Sequence, residues 1–319
     1  MKITKMILAI LLSVIAVTVL FCGCKPQQED KKENGKLNVV TTIFPPYDFA
    51  KQVGGDKVNV SMLLKPGMES HNFDPTPQDI IKVQDAELFI YTGGESDKWV
   101  RDILESDDKK PKKVLAMMDC VDTVAEDTVE GMTVEEEEKD SDEIEYDEHV
   151  WTSPENAMAI SRKINEALKE LSPSDSSVFD ENTKKYTQEL SALDNDFKKV
   201  VDNSKRKIMI FADRFPFRYF ADAYGLSYFA AFPGCSADTE PSAATISFLI
   251  NKVNDDKIPV VFTIEFSNGK IADTICEATG AKQLEFHSCH NVSQEMLDNG
   301  STYISIMKTN LDHLKEALA

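Results

Sequence analysis

Apolar residues fall into short runs separated by amphipathic stretches, and the alternation is regular. Residues 37–43 (LNVVTTI) are nearly all apolar or threonine, as in a strand buried on both faces. Residues 58–64 and Leu88–Tyr91 repeat this, stopped by Pro66-Gly67 and by Gly93-Gly94. Between them, residues 47–53 read as a short helix. A second helix opens at Thr76-Pro77-Gln78-Asp79, with a capping residue, a proline at the first position and an acid at the third. Strands alternating with helices at this spacing predict parallel α/β units. The pattern resumes at Trp151, and Ser153-Pro154 opens a helix to about Leu171. Residues 178–203 form the longest helical candidate: Phe179, Tyr186, Leu190, Leu193, Phe197, Val200 and Val201 recur at three- and four-residue steps, with no glycine or proline between. Such a helix spans roughly 39 Å. Strands at 207–211, near Tyr228 and at 260–264 then alternate with helices at 218–224, 242–253, 270–278 and 301–318. The expected fold class is α/β: two parallel-sheet lobes joined by one long rigid helix.

The ends and the charge refine this picture. Lys2 and Lys5 precede an apolar run, Met6 to Phe21, that is short for a membrane span. A basic start followed by a short apolar core reads as a secretory signal, with an uncleaved anchor as the alternative. The run ends in Phe21-Cys22-Gly23-Cys24. A small residue before a cysteine marks lipidation at Cys24, giving a signal peptide over 1–23 and a polar tether over 24–36. The net charge is −20, from 35 basic against 55 acidic residues, a poor balance for binding nucleic acid. Residues 119–148 contain fifteen acidic residues and one lysine, so −14 of the charge sits there. With no hydrophobic period, this stretch reads as a mobile acidic loop within an N-terminal lobe over 37–173. The linking helix is set at 174–204 and the C-terminal lobe at 205–319. Cys120, Cys235, Cys276 and Cys289 show no CxxC spacing. Disulfides and free thiols both stay open.

Only five histidines are present: His71, His149, His287, His290 and His313. His71 (PGMESHNFDPTPQDI) lies between a strand end and a helix cap, where ligands of α/β sheets bind. His149 (DEHVWTSPENA) again precedes a helix, and His287 with His290 (EFHSCHN) follows a short strand. Three histidine loops at element boundaries can converge on one metal ion. Spacing alone also allows structural roles. His313, on the last amphipathic helix, reads as a surface or packing residue. Neither a phosphate loop nor an HExxH zinc-hydrolase motif occurs.

PGMESHNFDPTPQDI and DEHVWTSPENA resemble the two signature segments of the cluster A-I, or cluster 9, metal-binding lipoproteins. These are the zinc and manganese substrate-binding subunits of ABC importers. IYTGGESDKW, YTQELSALDNDF, RYFADAYGL and YISIMKTNLDHLKEAL extend the resemblance over residues 37–319, apart from the acidic insert. The resemblance implies a metal held between two lobes on a rigid helix, with His71 and His149 as its first two ligands. The third ligand falls in FADRFPFRYF, at Ala212 or Asp213 according to how a one-residue insertion is placed; Asp213 can coordinate and Ala212 cannot. The fourth place falls near His287. Glu265, in FTIEFSNGK, matches a glutamate of the family near the cleft. The order of preference for C-lobe ligands is His287, Asp213, Glu265, then His290. A nitrogen-rich site favours zinc, with manganese as the alternative.

The implied function is an extracytoplasmic receptor, not an enzyme, that delivers zinc to an ABC permease and its ATPase. A lipid anchor holds it on the outer face of the cytoplasmic membrane, as in a Gram-positive cell. The alternative is an adhesin or scaffold of the same fold whose metal site has decayed. Mass spectrometry of membrane-extracted protein is expected to find a diacylglyceryl group on Cys24. A mature chain that begins elsewhere without an acyl group contradicts the anchor.

Overall fold

A computed structural model describes residues 35–69, 73–106, 109–133, 145–236 and 240–319. The signal segment with Cys24, nearly all of the tether, and His71 lie outside the described residues. From Lys36 onward the chain forms one compact unit built on two parallel four-stranded sheets. In the first sheet, β1 (Leu37–Thr41) lies between β2 (Val58–Met62) and β3 (Leu88–Tyr91), with β4 (Lys113–Ala116) beyond β3. Val39 stands opposite Val60 on one side and Leu88 on the other. The second sheet holds β5 (Ile208–Arg214), β6 (Ser227–Phe232), β7 (Val260–Thr263) and β8 (Lys282–Glu285), ordered β6-β5-β7-β8. Both sheets therefore share one arrangement, although the sequence shows no repeat. The inner strands read as unbroken apolar runs because both faces are covered: Val39, Val40, Leu88, Phe89, Phe211 and Phe262 are all buried.

Most helices sit where the periodicity puts them, and the differences have local causes. The first, α1 (Phe44–Gly54), starts earlier than expected because Pro45 and Pro46 occupy its first turn, where a missing amide hydrogen costs nothing. Next, α2 (Pro77–Gln84) carries the expected capping box between Thr76 and Asp79. Neither α3 (Lys98–Glu105) nor β4 was anticipated. Each is short, and lysines at Lys112 and Lys113 mask the edge strand. Then come α4 (Pro154–Leu171), α5 (Ser176–Asp202), α6 (Arg218–Tyr224), α7 (Ala243–Asp255), α8 (Lys270–Thr279), α9 (Gln294–Asp298) and α10 (Tyr303–Ala317).

The linking helix is α5, with 27 residues, or about 40 Å. Its buried face, Phe179, Tyr186, Leu190, Leu193, Phe197 and Val201, belongs to one hydrophobic cluster that also holds Val39 and Trp151 on one side and Phe211 and Phe286 on the other. Its polar side chains are tied in as well. The Tyr224 hydroxyl donates to Asp194 at 3.0 Å, and Tyr186 donates to the buried Asp48 at 3.4 Å. Phe215, Phe217, Tyr219 and Phe220 are buried, with Phe215 stacked on Tyr228 at 3.6 Å. They form core.

The acidic stretch differs from a free loop at its described ends, 119–133 and 145–148. Ala125 pairs antiparallel with Tyr146. The Val124 amide donates to the Tyr219 hydroxyl at 3.3 Å. The Thr133 amide donates to the Ala231 carbonyl at 2.9 Å. Charge count hid these contacts because they run through backbone groups and the few neutral residues. The run Glu135 to Glu138 lies outside the described residues.

One core shared by both lobes should melt as one unit. Phe197, which is fully buried and packs edge-on against Phe220 at 5.0 Å, is the test position. Phe197→Ala is expected to cost about 3–5 kcal/mol while calorimetry still shows a single transition. Two resolved transitions would mean that the lobes unfold independently.

Candidate metal centre

The carboxyl ends of both sheets face the interface between the lobes, and the loops leaving β2, β5, β7 and β8 meet there. In each sheet, the crevice between strands that lead off in opposite directions is where α/β folds hold ligands. The structure brings Glu148, His149 and His290 together: one ligand atom from each lies within 4.8 Å of the others. The two imidazoles meet edge to face at 4.9 Å, and His290 packs against Trp151 at 4.8 Å.

His149 is fully buried and opens the 3-10 turn Val150–Thr152. Its backbone amide donates to Asp147 Oδ1 at 2.8 Å, and its Nδ1 lies 3.0 Å from the same oxygen. A carboxylate on Nδ1 fixes the tautomer and leaves the lone pair on Nε2, the arrangement found behind metal-binding histidines. Burial alone lowers the His149 pKa. Asp147 outweighs it, by charge and by hydrogen bond, and with Glu148 and Glu126 raises the value above that of an ordinary histidine. Asp147 is itself held, since its carbonyl accepts from Tyr219 at 2.6 Å and its amide donates to Val124 at 3.0 Å.

Glu148 accepts from the Ser96 amide at 3.2 Å and from the Ser96 hydroxyl. Gly94 makes room for it: a β-carbon there would stand 2.1 Å from Glu148 Oε2. On the other side, Glu265 anchors the loop after β8. It accepts from the Ser288 amide at 2.7 Å, the Ser288 hydroxyl at 2.5 Å and the His290 amide at 3.2 Å. Within that loop Cys289 adopts φ 66°, the left-handed region, so the chain reverses between His287 and His290. The Trp151 indole donates to the Ser288 carbonyl at 2.8 Å and joins the two halves.

The expected ligands thus divide. His149 is in the cluster, and so is His290, the last preference. His71 lies outside the described residues. His287 is buried but turned into its own loop: Nδ1 accepts from the Cys289 amide at 2.9 Å, and its backbone amide donates to Asn310 at 2.9 Å. With Nδ1 accepting, the proton of the neutral ring sits on Nε2, which has no hydrogen-bond partner among the described residues. Asp213, at the end of β5, accepts from the Arg214 amide at 2.9 Å. Burial raises its pKa, and hydrogen bonds from Ser267 and Arg214 only partly offset this. It is not in the cluster, and Glu265 spends its oxygens on the loop.

Glu148 and Asp147 were missed because an acidic run reads as solvated surface. Their one signal was adjacency to His149. A cavity of about 20 Å³ opens beside the cluster, lined by Glu69, Arg214, Gly234, Glu265 and His290 among others. That volume holds one or two water-sized species, which suits an ion. Two imidazoles and a carboxylate are donors that zinc accepts in tetrahedral geometry. The four cysteines Cys120, Cys235, Cys276 and Cys289 are free thiols.

Two parallel-sheet lobes on a rigid helix, with a buried histidine and carboxylate meeting a half-buried histidine between them, define a two-lobed metal-ion-binding protein. The chain belongs to the ZnuA family, "zinc-uptake complex component A periplasmic", whose model matches residues 39–317. It is 33% identical over 308 residues to the high-affinity zinc uptake system protein ZnuA of Bacillus subtilis, covering 94% of this chain and 93% of that one. It is 32% identical over 317 residues to the zinc-binding lipoprotein AdcA of Streptococcus pneumoniae, covering 98% of this chain. That match spans only 61% of the length of AdcA. The solved Zn(II)-bound ZnuA-like domain of the same AdcA superposes with a TM-score of 0.73 at 31% identity, covering 89% of this chain and 99% of that domain.

Proposed function

We propose that this protein is an extracytoplasmic receptor that captures zinc between its lobes and hands it to an ABC permease with its ATPase. The observation that carries this is the cluster of the buried Glu148 and His149 with the half-buried His290, drawn from both lobes. His149 and His290 supply imidazole nitrogen and Glu148 supplies oxygen. Asp147 orients His149, and Glu265 positions His290. His71, which lies outside the described residues, is the remaining ligand that the family resemblance implies. His287, Asp213 and Glu265 then serve the loops around the ion and do not touch it. The relatives' names, a zinc uptake system protein and a zinc-binding lipoprotein, support zinc as the cargo. Two nitrogens against one oxygen favour zinc over manganese, which prefers harder donors. Cys24 carries the lipid that tethers the body to the outer face of the cytoplasmic membrane. The protein's task is capture and delivery, with no reaction assigned to it. The adhesin alternative requires a decayed site, and a cluster this well supported argues against decay.

Melting curves with zinc and with manganese test the proposal. Zinc at a thousand times its dissociation constant is expected to stabilise the protein by about 4 kcal/mol. His149→Ala should abolish the shift and His290→Ala should weaken it strongly. No zinc shift in the native protein, or a larger shift with manganese, contradicts the proposal.

A further inference from the structure

Asn291 follows His290 directly and is 1% exposed. Its amide nitrogen donates both hydrogens across the lobes, to the Lys65 carbonyl at 2.7 Å and the Met68 carbonyl at 2.9 Å. Its side-chain oxygen accepts from the Val292 amide at 2.8 Å. Every polar atom of this buried side chain is thus used, and two of its bonds reach residues more than 220 positions away. A third bond runs the opposite way, from the Gly67 amide to the Val292 carbonyl at 2.9 Å. Just outside, Arg214 from β5 pairs with Glu69 at 2.7 Å. The Phe44 amide, at the start of α1, donates to the His290 carbonyl at 3.2 Å.

These bonds clip the segment 65–69 of the first lobe to the 290–292 segment of the second. His290 is therefore held from two sides, by Glu265 within its own lobe and through Asn291 by the other lobe. We propose that Asn291 is a positioning residue that makes the placement of His290 against Glu148 and His149 depend on the clip. The inference rests on the metal-receptor function proposed above. The clip and the ion then stabilise each other: anything that seats His290 on a metal holds the clip shut, and loss of the clip loosens His290. Removing such an outer support around a metal ligand typically weakens the metal by about 10-fold or more. The coupling is reciprocal.

Hydrogen exchange followed at the Gly67 amide reads the clip directly. In the native protein, saturating zinc is expected to slow exchange at Gly67 by about tenfold or more, while amides of β3 and β7 change little. In Asn291→Ala, Gly67 should exchange faster without metal, core amides should keep their protection, and zinc should bind about tenfold more weakly. A variant that merely unfolds would lose core protection too; the native-protein comparison then decides alone. Zinc that binds, as a parallel titration shows, yet leaves Gly67 exchange unchanged overturns this inference and spares the receptor. Absence of zinc binding to the native protein overturns both.

Discussion

Asp147 and Glu148 are adjacent in sequence and each about 1% exposed. Each of these buried carboxylates has lost its water, a cost of several kcal/mol per ion unless partners replace it. Asp147 is answered by His149, and Glu148 by Ser96. The strain on the neighbourhood remains visible at Asp97, which donors on the loop after β3 hold in place. Burial foremost, and then the charge of Glu148, push its pKa up to about 7 against the pull of the Thr92 and Gly93 amides. In the proposed receptor, a divalent cation seated among Glu148, His149 and His290 would supply the charge this arrangement lacks. The two-lobed frame keeps the carboxylates in place before the ion arrives.

That frame follows from the same need. Ligands drawn from two lobes must meet within a few tenths of an ångström, and lobes that swing freely cannot guarantee this. The linking helix shares one core with both sheets, and Trp151, Asn291 and Tyr219 add hydrogen bonds across the gap. Tyr303 closes the set, its hydroxyl donating to the Trp151 carbonyl at 2.7 Å and its amide to Asp48 at 3.0 Å.

The lobes and the helix were legible in the sequence because their signals are local. Buried strands such as β1 and β7 read as apolar runs, and the buried face of α5 reads as a 3.6-residue period. Elements whose order comes from contacts far along the chain were not legible, as with β4 and the docked ends of the acidic stretch. The site shows the same division. His149 was marked by its place before a helix. Choosing between His287 and His290 depends on a left-handed turn at Cys289, and no residue type announces such a turn in a non-glycine position. Glu148 looked like one more acid in a row of acids, since burial is a property of the fold and not of the row.

X-ray absorption at the zinc edge, on native protein and on His290→Ala, tests the central claim most directly. It predicts a shell of nitrogen and oxygen at about 2.0–2.1 Å with imidazole scattering, and one imidazole fewer in the variant. An identical imidazole count in both proteins would place the ion elsewhere and contradict the claim.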